Sequence, residues 1–265
     1  CMVWGGALNL APADDKIIKV EKPLAIDAKS QLLASVMSKK LSVSATHLLI
    51  DIPFGHGSKI ESKKYATILQ KNFEHVANKL GMKARVVLTK GSEPIGNGIG
   101  PLLEARDVLW VLQQDHRMPK DLYTKSVKIA GILLELAGKV NKGKGEEMAR
   151  KIVTTGMANR KMIEIIKAQG AKVFNPSKLR LSKIKKEVHA HRSGKITLIH
   201  NEAISKIART SGAPMNKSSG VYLHHHVGDK VKKGDILYTV YAESEFKLKY
   251  ALSIAKELGF GVEIK

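Results

Sequence analysis

Asp27, Ser35 and Lys39 are the residues whose types and spacing first suggest chemistry. Ser35 and Lys39 stand four apart in Asp27-Ala-Lys-Ser-Gln-Leu-Leu-Ala-Ser35-Val-Met-Ser-Lys39-Lys40, so on a helix they share a face. Leu32, Leu33, Val36 and Met37 give that helix an apolar side to hold it against a core. Asp27 falls just before it, in the loop or first turn. An acid, a hydroxyl and an ammonium brought together can bind and protonate a small polar substrate. Each also has a plain structural use: Asp27 as a helix-terminal acid near the positive end of the dipole, Lys39 as a solvated surface charge.

The elements around them read as an α/β protein with a mixed or parallel sheet and flanking helices. Lys16–Val20, between Pro12 and Pro23, reads as extended. His47–Ile52 is a compact apolar run of buried-strand length. It opens into Phe54-Gly-His-Gly-Ser-Lys59, with His56 as a possible phosphate neighbour or a solvent-exposed loop residue. Residues 62–80 predict an amphipathic helix capped by Ser62, with Tyr65, Ile68, Leu69, Asn72, Val76 and Leu80 on one stripe. Lys83–Thr89 predicts the next strand, completing a right-handed βαβ unit. Ligands on such sheets sit at the carboxyl ends of the strands, where the 53–59 and 90–100 loops fall.

The 90–100 loop is rich in glycine, but it lacks both the Rossmann spacing and the Walker lysine. It reads as a turn where backbones approach closely. Helices are expected from Pro101 to Gln114, over 121–138 and over 145–169. Beyond Pro176 the texture changes to short strands and short helices. The predicted domains are 1–175, a central α/β nucleotide and phosphate domain, and 180–265, a small α+β domain.

A net charge of +21 attracts phosphate, whether on a polynucleotide or on a small substrate. A basic nucleic-acid-binding module is therefore a rival reading. The lysines are spread along the chain, and no zinc-finger spacing or aromatic RNA-binding signature accompanies them. No apolar run approaches bilayer length and no secretory signal opens the chain, so no membrane partner and a cytoplasmic location are expected. The single Cys1 allows no internal disulfide. His224, His225 and His226 alternate faces on a strand and so cannot converge on one ion. No metal is expected. The segment Val227–Leu237 resembles the half-barrel hairpin of biotinyl and lipoyl carrier domains, yet no lysine follows at the tight turn a carrier would modify. A structural use of the hairpin is the expectation.

Three longer stretches occur in the same order in the thymidine and pyrimidine-nucleoside phosphorylases. They are Leu33-Ala-Ser35-Val-Met-Ser-Lys39-Lys40, Leu49-Ile-Asp51-Ile-Pro53-Phe-Gly55-His-Gly57-Ser-Lys59, and Pro94-Ile-Gly96-Asn-Gly98-Ile-Gly100-Pro-Leu-Leu-Glu104-Ala-Arg106. Ser193-Gly194 and Gly220-Val-Tyr-Leu continue the match. Val3–Asp15 and Ala25–Asp27 resemble the archaeal AMP phosphorylase branch. The resemblance implies phosphorolysis of a nucleoside 5′-monophosphate (AMP, or CMP and UMP) to free base and ribose 1,5-bisphosphate. Inorganic phosphate would be the co-substrate, with no other cofactor, in a homodimer or larger homo-oligomer. It implies Asp27 as proton donor to the leaving base, Ser35 as a base contact and Lys59 as a nucleotide ligand. Lys39 matches the base-binding lysine of the pyrimidine enzymes. Their base-gripping arginine aligns with Val20 here, a departure from a simple thymidine phosphorylase, which stays the in-class alternative. The family's glycine-rich Lys/Ser/Thr phosphate loop is not found in these residues, and the chain opens inside an apparent strand. It is therefore expected to be a fragment that holds the base side of the site and is inactive alone.

Overall fold

The computed structural model describes residues 2, 10–24 and 29–265. These cluster into two compact units. One holds residues up to Pro53, Ser62–Thr89 and Val127–Arg150; the other holds Phe54–Glu61, Lys90–Ser126 and Lys151–Lys265.

The first unit begins with α1 (Pro12–Leu24) and α2 (Lys29–Ser42). The extended reading of Lys16–Val20 is thus corrected to helix. Pro12 does not bound a strand here; it starts a helix, where its missing N–H costs nothing. Asp14 and Asp15 fall in the first turn, at the positive end of the dipole. Ile17 and Val20 are exposed, as a buried strand would not allow.

Strand β1 (His47–Phe54) is followed by α3 (Lys63–Lys79) and β2 (Lys83–Lys90). Lys83 N donates to Thr46 O at 2.9 Å and Gly91 N to Phe54 O at 2.8 Å. The same offset at both ends makes β1 and β2 run parallel. Ser62 caps α3 by accepting from Tyr65 N at 3.4 Å, as its sequence position predicts. The buried stripe of α3 is Ala66, Leu69, Phe73 and Ala77, while Ile68 and Leu80 are exposed. The expected stripe is therefore rotated by about one residue, because the aromatic ring of Phe73 takes the core position. The unit also contains α5 (Lys120–Leu136) from Val127 on and most of α6 (Gly145–Thr154).

The second unit carries β3 (Gly98–Ile99), α4 (Pro101–Gln113) and α7 (Met157–Ala168). The single helix expected over 145–169 is broken: Gly156 takes a left-handed φ of +73° between α6 and α7. Then come β4 (Lys185–His189), β5 (Gly194–Ile199), α8 (Asn201–Ser211), β6 (Gly220–Leu223), β7 (Lys230–Val231), β8 (Ile236–Tyr241), α9 (Glu245–Glu257) and β9 (Val262–Ile264). One antiparallel sheet runs β3-β6-β8-β4 and another runs β7-β5-β9. Ile196, Ile204, Ile207, Val221, Tyr238, Val240 and Ala251 are fully buried between sheets and helices.

The chain is thus mixed α/β with several sheets. The carrier-like hairpin over 227–237 does not form as a paired hairpin. Its arms part, β7 pairing with β5 and β8 with β4 and β6.

Candidate functional site

In the first unit, α2 carries Ser35 and Lys39 on the same face, and α1 brings Asp14 to them. Ser35 Oγ donates to Asp14 Oδ2 at 2.8 Å. Lys39 Nζ lies 2.7 Å from the same oxygen and 3.6 Å from Asp15 Oδ1. Gln31 Nε2, one turn earlier on α2, donates to Asp14 Oδ1 at 3.0 Å. Asp14 is only 7% exposed. Burial raises its carboxyl, but the bonds from Lys39, Ser35 and Gln31 outweigh that and hold it below the ordinary carboxylate range. The bond to Asp14 pushes the Lys39 ammonium up, against the desolvation that pulls it down. The cluster is therefore ionised at neutral pH, and α2 is seated by the buried Met37.

The structure thus brings Ser35 and Lys39 together, as their spacing predicts. Asp27 lies outside the described residues. Among the described residues, the acid that meets both is Asp14, which sequence reasoning passed over. Its one local signal was the Pro12-Ala-Asp-Asp15 start of a helix.

Lys59 is placed in the second unit, exposed, on the loop after β1. That loop is closed by its own backbone. Gly55 N donates to Ile60 O at 3.0 Å, the Ser58 hydroxyl lies 2.8 and 2.7 Å from the carbonyls of Gly55 and Ile60, and Gly57 N donates to Glu61 at 3.1 Å. His56 is exposed, 4.0 Å from Glu61.

The glycine-rich 90–100 loop is held by carboxylates of the same unit. Asn97 N and Gly98 N each donate to Asp107 Oδ2 at 2.7 Å. Gly96 N donates to Asp121 at 2.9 Å and Gly100 N to Glu104 at 2.9 Å. These four amides are taken by carboxylates and are not offered to a phosphate. The loop's glycines serve close approach instead. A Cβ on Gly98 would sit 2.5 Å from the Leu103 carbonyl carbon, and one on Gly220 2.1 Å from Ile99 O.

Glu93 fixes the loop to the segment after β6. It lies 2.7 Å from Lys90, accepts from Val227 N at 3.0 Å and is 3.5 Å from His226. Burial raises Glu93, yet bonds from His226, Lys90 and Val227 bring it down to about 2. The three consecutive histidines take three directions: His224 to Thr239 at 2.9 Å, His225 to Asp229 at 3.6 Å, and His226 to Asn97 at 2.8 Å. A cavity of about 370 Å³ lies beside the loop, lined by Ile95, Ile99, Asp107, Val108 and Leu122 among others. No helix among the described residues is long and apolar enough to cross a membrane.

Residues 195–258 match the pyrimidine nucleoside phosphorylase C-terminal domain family. The chain is 46% identical over 97% of its length to the AMP phosphorylase of Methanocaldococcus jannaschii, covering 51% of that protein. It is 44% identical over 97% of its length to the AMP phosphorylase of Pyrococcus furiosus, again covering 51% of the relative. A Legionella pneumophila protein provisionally named a thymidine phosphorylase is 42% identical over 97% of the chain, which covers 49% of it. The chain spans about half the length of the curated relatives it matches.

Proposed function

Because the chain is similar to AMP and thymidine phosphorylases along nearly all its length, we propose that it supplies the base side of a nucleotide phosphorylase. The reaction is attack of inorganic phosphate at C1′ of a nucleoside 5′-monophosphate. The C1′–N bond breaks, the base leaves with a proton, and ribose 1,5-bisphosphate forms. AMP is the foremost substrate, with CMP and UMP in the same class. The similarity to AMP phosphorylases over 97% of the chain carries this reading. Since the chain spans about half of those relatives, the activity is proposed for the native full-length protein and not for these 265 residues alone.

The roles follow from what the reaction needs. A departing base is a poor leaving group as an anion, and Asp27 is the proposed acid that protonates it. Such an acid contributes roughly 10²–10⁴ in rate. Ser35 and Lys39, already adjacent, are proposed to hold the base, and Lys59 to bind the nucleotide. Holding phosphate and nucleotide in line adds a proximity contribution, and cations near the two anions stabilise developing charge.

The second reading is a pyrimidine-nucleoside phosphorylase, favoured by the Ser35–Lys39 pair and by the relative named for thymidine. Against it, Val20, where the base-gripping arginine aligns, is an exposed residue of α1. Phosphate-dependent base release from AMP, CMP, UMP, thymidine and uridine decides between them. Release from nucleotides supports the first reading, and release from nucleosides alone the second. No release from any of the five sinks both. Asp27→Asn is expected to remove most turnover while leaving the melting temperature intact, and wild-type rates in that variant overturn its assignment.

A further inference from the structure

Asp14 is given no role by the family resemblance, yet it is the acid that touches both Ser35 and Lys39. An ionised carboxylate has no proton to give, so the Ser35 hydroxyl must be the donor between them. That leaves the lone pairs of Ser35 Oγ as its means of contact with anything else. Lys39 has three N–H groups and no lone pair, and the carboxylates on α1 do not use all three.

We propose that Asp14 is a positioning residue that fixes the hydrogen-bond polarity of the base-recognising pair: Ser35 meets the base as an acceptor and Lys39 meets it as a donor. The ligand this fits is a nucleobase edge that sets an N–H beside a lone pair. The amino group and ring nitrogen of adenine or cytosine form such an edge, as do the ring N–H and carbonyl of uracil. Gln31 completes the arrangement by occupying the other Asp14 oxygen, which keeps the carboxylate from rotating away. The inference rests on the proposed assignment of Ser35 and Lys39 to the base, and deepens it.

Asp14→Asn tests this. The amide keeps the shape but can donate to Ser35 Oγ, and it gives up the charge that orients Lys39. In the native full-length protein, the KM for the nucleotide or nucleoside is expected to rise about tenfold, the fold-change that corresponds to one lost hydrogen bond. The KM for phosphate should stay unchanged, and Asp14→Glu should recover part of the loss. In a Ser35→Ala background, Asp14→Asn should add less than it does alone, because the part of its effect that runs through Ser35 is gone and only the part through Lys39 remains. An unchanged nucleotide KM, an equal rise in both KM values, or full additivity with Ser35→Ala overturns the proposal. A melting temperature for each variant separates lost folding from lost positioning. If the unmodified protein releases no base from any substrate, the functional reading falls and this inference with it. If it is active and Asp14→Asn is silent, only this inference falls.

Discussion

Asp14 and Asp107 are both carboxylates hidden from solvent, 7% and 1% exposed, but they are answered by different donors. Asp14 receives an ammonium, a hydroxyl and a side-chain amide, all from α2. Asp107 receives two backbone amides of the glycine-rich loop. The outcomes are opposite. Asp14 is held below the ordinary carboxylate range, whereas burial pushes Asp107 above it despite the two amide bonds. Asp107 is the more deeply buried of the two and has the like charge of Asp121 nearby, so its amide bonds and the charge of Arg106 do not offset its desolvation. The comparison also separates two uses of a buried acid. Asp107 shapes backbone and leaves no reactive side chain in its grip. Asp14 organises two side chains that can act on something else.

The largest effect that could break this contrast lies on the scaffold side. Gly220→Ala places a Cβ 2.1 Å from Ile99 O at a φ of +148°. It should cost roughly 3 kcal/mol or more in urea unfolding, from overpacking and backbone strain together. Gly81→Ala, also at positive φ but with nothing nearby, should cost about 1 kcal/mol. Equal costs for the two would mean that the β3–β6 junction is not tightly held.

Next in size is Asp107→Ala, which orphans one buried and one half-buried amide and should cost about 2–4 kcal/mol. A loss below about 1 kcal/mol, the worth of an ordinary hydrogen bond, would remove Asp107 from its scaffold role. The same two acids can then be distinguished by pH. Asp14 has a depressed folded pKa, so its contribution is present above the ordinary carboxylate range and is lost as pH falls through the folded value. Asp107 has a raised folded pKa. Its contribution is full at low pH and declines as pH rises through the folded value. Urea midpoints from pH 3 to 7 should therefore show the Asp14→Asn penalty growing with pH and the Asp107→Asn penalty shrinking. Parallel curves would contradict the contrast.

The smallest expected effect is at the Glu93–His226 contact. The bond to Glu93 pushes His226 up, against desolvation, so its contribution is present below the ordinary histidine range and lost as pH rises through the folded value. His226→Gln should cost about 0.5–1.5 kcal/mol at pH 6 and progressively less toward pH 9. A penalty independent of pH would show that packing alone holds the 90–100 loop to the segment after β6.

Much of the first half of the chain was legible because its signals are local. The i, i+4 placement of Ser35 and Lys39, the Ser62 cap, the Pro101 helix start and the apolar run of β1 each depend on neighbours within a turn or a strand. The misreadings arose where a local sign has two meanings. Pro12 bounds a strand or starts a helix, and here it starts α1, whose Ile17 and Val20 stay exposed. The 227–237 turns suit a hairpin or a crossing between sheets.

What the sequence determined by itself is the kinship, the mixed α/β texture and the pair Ser35–Lys39, all of which follow from residue order and helical period. Tertiary structure alone showed that Asp14 meets that pair. It brought Asp14 across 21 positions to Ser35, and Asn97 across 125 to Tyr222. Only the folded chain shows that the glycine loop gives its amides to carboxylates of its own unit. Such choices depend on which donors are left unsatisfied when elements pack, and a buried polar group must find a partner wherever the chain puts one.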